Sequence, residues 1–148
     1  MKIFFAADHA GFKLKNELIN YAAKLGYEPI DSGAFALNND DDYPDFVVPA
    51  VNAAIATKSR AVVLGGSGIG ECIAANKVKG ARAALCFDAY TAKITRLDND
   101  SNVLCFGSRT TAGKLETAKK IMKIWLETKF SNASRHKRRI TKIAKLEA

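Results

Sequence analysis

One carboxylate in this chain is out of keeping with its neighbours. Glu71 closes the stretch Gly65-Gly66-Ser67-Gly68-Ile69-Gly70-Glu71, with four glycines in six residues, and is followed by Cys72-Ile73-Ala74-Ala75-Asn76-Lys77. Glycines let the backbone approach a ligand closely, and free N–H groups at a helix start attract anionic oxygens. A carboxylate does not help to hold an anionic phosphate there; it is better suited to taking a proton. Three further polar clusters could do chemistry: Asp8-His9, Asp98-Asn99-Asp100 and Ser108-Arg109. Ordinary nucleotide motifs fit poorly. The glycine pattern is Gly66-x-Gly68-x-Gly70 after the third apolar run, not G-x-G-x-x-G after the first, and no G-K-[ST] follows it. Glycines making only a tight turn would leave Glu71 unexplained.

The elements that must position these residues alternate along the chain. Ile3 to Ala7, Glu28 to Asp31, Ala61 to Leu64, Ala81 to Phe87 and Val103 to Gly107 read as five strands. Between and after them, helices are expected over Phe12–Leu25, from Tyr43-Pro44-Asp45 to about Thr57, from the glycine turn to about Val78, and over Asp88–Leu97 with Asp88 as N-cap. A long helix from about Thr111 to Lys129 and a basic one from about Ser134 complete the chain. Pro44 suits a first helical turn, whereas Pro49 is expected to delay or kink its helix. The acidic loop Asn38 to Asp42 reads as plain solvated surface. Regular alternation implies a single-domain, doubly wound α/β/α sandwich on a five-stranded parallel sheet, Rossmann-like in type. In such sheets ligands bind beyond the carboxyl ends of the strands, where Asp8-His9, Ser67 to Glu71 and Ser108-Arg109 fall. Asp98-Asn99-Asp100 sits just before the fifth strand, and its placement is left open.

The chain has 148 residues, 48% of them hydrophobic, which suits one domain with a sizeable core and excludes a disordered chain. It shows no membrane-spanning run and no secretory pattern. Cys72, Cys86 and Cys105 are widely spaced and odd in number, which points to reduced thiols in the cytoplasm rather than a disulfide frame or zinc site. The net charge is +8, and from Lys129 to Ala148 seven basic residues (Lys129, Arg135, Lys137, Arg138, Arg139, Lys142, Lys145) face one acid, Glu147. Such a cluster fits a solvated basic helix, a phosphate clamp on a terminal arm, or a nucleic-acid footprint.

Taken together, Asp8-His9-Ala10-Gly11-Phe12, Asp42-Tyr43-Pro44, Gly66 to Glu71 with Ile73 to Lys77, Asn99 to Leu104, Gly107-Ser108-Arg109 and Arg135-His136-Lys137-Arg138-Arg139 are specific. On these motifs the chain resembles, nearly end to end, the type B ribose-5-phosphate isomerases, a family that also holds the galactose-6-phosphate isomerase subunits. The resemblance implies interconversion of an aldose phosphate and its ketose, ribose 5-phosphate and ribulose 5-phosphate in the main reading, without metal or organic cofactor. It implies Glu71 as the base, since the cysteine used by one branch of the family falls at Gly65 here. Cys72 is then a bystander or a packing residue. The resemblance further implies that the backbone of Gly66, Ser67, Gly68, Ile69 and Gly70 holds the enediolate, with the Ser67 hydroxyl near O1 and O2. Asp8, His9 and Asn99 would contact the sugar, and Arg109, Arg135 and Arg139 the phosphate. Residues 131–148 would form an arm reaching a neighbouring subunit, in a homodimer or dimer of dimers, with no nucleic acid or membrane involved.

The chain departs from the family at Asp98, where many members carry the histidine that opens the sugar ring. Aspartate, with a reference pKa near 3.9, is a poor donor at neutral pH. His9 opens the ring instead, or opening is spontaneous, or the substrate is another sugar phosphate such as a six-carbon aldose 6-phosphate. From a different class, the alternative is a nucleic-acid or nucleotide-binding module that uses the basic C-terminus.

Overall fold

Alternate residues of a strand face opposite sides of its sheet, so a strand apolar throughout must be covered on both faces. In the computed structural model, which describes residues 1–147, this holds for β1 (Lys2–Ala7), β3 (Arg60–Gly65) and β5 (Val103–Gly107). One face sends Ile3, Phe5, Val62, Leu64, Leu104 and Phe106 into a core with Leu14, Leu18, Ile121 and Trp125. The other sends Phe4, Ala6, Ala61, Val63, Val103 and Cys105 against Val47, Val51 and Ala75. Helices α1 (Phe12–Lys24), α4 (Ala89–Asn99) and α5 (Leu115–Glu127) therefore cover the first face, and α2 (Pro44–Ala56) and α3 (Ile69–Ala75) the second.

With β2 (Glu28–Asp31) and β4 (Ala83–Leu85), all strand pairs are parallel in the order β2-β1-β3-β5-β4. The winding reverses between β1 and β3, which is the switch point where such sheets open a crevice at their carboxyl ends. The expected doubly wound α/β/α sandwich is thus observed. Among the described residues no helix is long and apolar enough to cross a membrane.

Several boundaries differ from the sequence reading. β4 is only three residues long because the N–H groups of its approach bond side chains: Arg82 N donates to Asn102 Oδ1 at 2.7 Å and Ala83 N to Asn76 Oδ1 at 2.9 Å. Asn76 also ends α3 three residues early. The helix expected from Thr111 begins as a single 3-10 turn, Thr111–Gly113, before α5. Pro49 lies inside an uninterrupted α2. Asp88 caps α4 as expected, its Oδ1 accepting from Thr91 N at 2.7 Å.

The basic segment forms α6 (Ser134–Ala144) and a final 3-10 turn, Lys145–Glu147; Ala148 of the expected 131–148 arm lies outside the described residues. This arm packs against its own chain. Ser131 N donates to Leu97 O at 3.1 Å, and Gly80 N donates to the Glu147 carboxylate at 3.0 Å. His136 is buried, bonded to the Ser131 hydroxyl at 2.9 Å and to Arg135 Nε at 3.0 Å. It pins the arm.

Candidate functional site

The turn after β3 is shaped by what glycine leaves out. Gly68 has φ +78°, and a Cβ there would sit 2.5 Å from the Phe106 carbonyl, so only glycine fits both the backbone and the space. Gly65 is a different case, because its empty Cβ position is filled by a functional group. A Cβ on Gly65 would fall 1.7 Å from Glu71 Oε1 and 2.1 Å from its Cδ. The Glu71 carboxylate therefore turns back over the end of β3 instead of pointing to solvent, and the residue is 3% exposed.

Burial pushes the Glu71 carboxyl above its ordinary value; a bond from its own backbone N–H pulls it partly back, and the Asp8 charge pushes it up again. Burial outweighs the turn's attraction for an anion, a balance the sequence could not decide. Around this carboxylate lies a cleft of about 500 Å³ lined by Asp8, Tyr43, Gly66, Ser67, Gly70, Glu71, Arg109 and Thr110. The N–H groups of Ser67, Gly68 and Gly70 have no acceptor among the described residues, whereas Ile69 N donates to the Ser67 hydroxyl at 3.2 Å. A proton acceptor thus sits beside free N–H groups, which is the pairing that proton abstraction next to a carbonyl requires.

β1 brings Asp8 and His9 to the same end. Asp8 is 7% exposed, and its Oδ1 caps the following turn by accepting from Ala10 N at 3.0 Å and Gly11 N at 3.2 Å. The expectation of a merely solvated 38–42 loop is wrong for one residue. Asp41 has a side chain only 6% exposed, and its Oδ1 accepts from His9 N at 3.0 Å and lies 2.7 Å from His9 Nδ1. Acidic loops usually face water, and nothing local marks this one as closing on a histidine 32 residues away. Tyr43 likewise has a place that no local signal in the sequence marks. Its ring lies across Gly70, where a Cβ would come within 2.6 Å of Cζ. Cys72 Sγ lies 3.6 Å from Ala83 O, away from the cleft lining, and its thiol is lowered to about 7, chiefly by a hydrogen bond with Cys105.

The structure does not bring all the expected residues together. Arg109 stands near the turn, its Nη1 3.3 Å from the Cβ position of Gly66. Asp98 and Asn99 end α4 at the opposite end of the sheet, next to Asn102, whose carbonyl bonds the amino end of β3. Arg135 and Arg139 are exposed on α6 at that same end, where Asp98 lies 3.5 Å from His136. A six-residue strand separates the two groups by about 17 Å.

Comparison with known proteins follows the same lines. The family model described as Ribose/Galactose Isomerase matches residues 3–143. Ribose-5-phosphate isomerase B of Mycolicibacterium paratuberculosis is 42% identical over 148 residues, covering 99% of this chain and 92% of that one. The solved ribose-5-phosphate isomerase B of Clostridium thermocellum superposes with a TM-score of 0.94 at 40% identity, covering 99% of this chain and 97% of the other. The Mycoplasma genitalium enzyme, solved with bound ribulose-5-phosphate, gives a TM-score of 0.93 at 34% identity, with 99% and 95% covered.

Proposed function

We propose, because this chain belongs to the Ribose/Galactose Isomerase family and buries a carboxylate beside free N–H groups, that it interconverts ribose 5-phosphate and ribulose 5-phosphate. In the open-chain aldose, Glu71 takes the proton from C2, and the C2–H electron pair forms the C1–C2 double bond of an enediolate. The free N–H groups of Ser67, Gly68 and Gly70 bind the charge that gathers on its oxygens. Glu71 returns the proton to C1 while a proton passes between O2 and O1, beside the Ser67 hydroxyl. Arg109 holds the phosphate at the other end of the substrate; its planar guanidinium suits two phosphate oxygens at once. No step calls for a metal or an organic cofactor.

The observation that carries this reading is the exchange between positions 65 and 71. A side chain at 65 and the Glu71 carboxylate cannot occupy the same space, so this chain commits to the glutamate. The raised pKa fits the task, since a base is most effective when its pKa approaches the working pH.

The complete site is a shared one in this reading. Asn99, Arg135 and Arg139 lie too far from their own cleft to serve it, so a second copy supplies them in a homodimer or a dimer of dimers. Ile69, Ile73, Phe87 and Tyr90, each more than half exposed around α3 and the start of α4, offer an apolar surface for that copy. Three free thiols, Cys72, Cys86 and Cys105, fit a reducing cytoplasm.

An isomerisation assay across pentose and hexose phosphates tests the substrate and the base together. Wild-type protein turns over the ribose 5-phosphate pair in preference to six-carbon substrates. Glu71→Gln loses about 10²- to 10⁴-fold in kcat while sugar-phosphate binding persists. Near-normal turnover by Glu71→Gln would remove Glu71 as the base.

A further inference from the structure

The cleft around Glu71 has no imidazole in its lining, yet one stands at its rim. His9 follows Asp8, which lines the cleft, and one ligand atom from each of Asp8, His9 and Asp41 lies within 4.8 Å of the other two. Asp41 holds both ends of the His9 residue: its Oδ1 accepts from the backbone N at 3.0 Å and meets the ring at Nδ1, 2.7 Å away. A carboxylate only accepts, so the ring proton is assigned to Nδ1 and the lone pair to Nε2. The other carboxylate oxygen, Asp41 Oδ2, is buried with no hydrogen-bond partner among the described residues. Burying a carboxylate so incompletely satisfied costs stability. The residue is better explained by what it does to His9.

We propose that Asp41 is a positioning residue that fixes the tautomer and tilt of His9, and that His9 Nε2 opens the cyclic sugar. The inference rests on the isomerase reading. An aldopentose 5-phosphate closes through O4 into a furanose, whose C2 proton is not acidic until C1 is a carbonyl. Nε2 takes the proton of the O1 hydroxyl, C1=O1 forms as C1–O4 breaks, and O4 receives the proton that Nε2 holds. One proton moves from O1 to O4, and no other acid, base or oxidant is consumed. The exchange puts ring opening on the same chain as Glu71.

Ribulose 5-phosphate carries its phosphate on the oxygen that would close a five-membered ring at C2, so it is acyclic and needs no opening. The test therefore compares the two directions in Asp41→Ala, which removes the acceptor; an amide oxygen at this position would still accept from both His9 N and Nδ1. From ribulose 5-phosphate, turnover stays close to wild type. From ribose 5-phosphate, the rate falls by about 100-fold at high enzyme and no longer rises with enzyme concentration, because uncatalysed ring opening limits it. Asp41→Glu, which restores an acceptor for Nδ1, restores proportionality to enzyme. His9→Gln shows the same plateau from ribose 5-phosphate and carries the test if Asp41→Ala does not fold. A rate from ribose 5-phosphate that stays proportional to enzyme, with only KM raised, would overturn the proposal by making the pair a binding contact. Equal losses in both directions by a folded variant would also overturn it. If wild-type protein converts neither substrate, the isomerase reading itself fails, which is a separate result.

Discussion

At the amino ends of the strands, Arg60, Arg82 and Arg96 direct their N–H groups at main-chain carbonyls. At the carboxyl ends, Glu71 and Asp41 are buried with bonding capacity unfilled. Arg60 Nη1 donates to Leu126 O at 2.9 Å, Arg82 Nη2 to Asp100 O at 2.8 Å, and Arg96 Nη1 to Ser101 O at 2.5 Å. Asp100 answers two of these cations, through Arg82 at 3.2 Å and Arg96 at 2.8 Å. A cleft of about 410 Å³ opens there too, but its guanidinium groups already close the chain around Asp100 and Asn102. The carboxyl end keeps a raised carboxyl, an orphan carboxylate oxygen and free N–H groups in a cleft of similar size. Similar polarity therefore has opposite meanings at the two ends. Satisfied charge holds the fold, and incompletely satisfied charge marks the end where chemistry gathers.

Substitutions that fill the unfilled end should cost activity most. Gly65→Ala places a methyl group where the Glu71 carboxylate lies, so kcat falls by at least about 10²-fold, with a further stability loss of about 1–3 kcal/mol seen on thermal melting. Next comes the test of a shared site. Glu71→Gln and Arg139→Ala are each inactive alone, and mixing them under subunit exchange recovers part of the wild-type rate in a steady-state assay. No recovery despite confirmed exchange would place Arg139 in its own chain's site. At the satisfied end the order reverses. Arg60→Met loses bonds to Trp125 O and Leu126 O and its stacking 5.2 Å over the Trp125 ring, so stability drops by about 1.5–3 kcal/mol. Turnover per folded molecule is unchanged. A loss of kcat without a shift in the melting point would erase the distinction between the ends.

The two ends also differ in how far the sequence reveals them. Apolar runs that stop abruptly at Asp8, Gly65 and Gly107 fix the strands and the side on which the chemistry gathers, because period and punctuation are local signals. Glu71 stands out for the same reason. Asp41 is hidden, since the middle acid of Asp40-Asp41-Asp42 looks like solvation until the fold places it against His9. The separation of Asn99, Arg135 and Arg139 from Glu71 is equally illegible, because it depends on where α4 ends and how α6 folds back. β4 is short because of two asparagine side chains, Asn76 and Asn102, that no propensity scale would single out.

Glu71 is held buried and proton-hungry for catalysis, and pH dependence tests this most directly. A carboxyl whose folded pKa is raised binds its proton more tightly in the folded state than in the unfolded chain. Stability from this group is present below the ordinary value of 4.5 and is lost as pH rises through the raised folded pKa. Thermal melts of wild type and Glu71→Gln, taken from acid to neutral pH beside the isomerase assay, should therefore diverge. The variant should melt no lower than wild type at the acid end and increasingly higher toward neutrality, while its turnover is lost. A variant that melts lower than wild type at neutral pH, or keeps its turnover, would contradict the account.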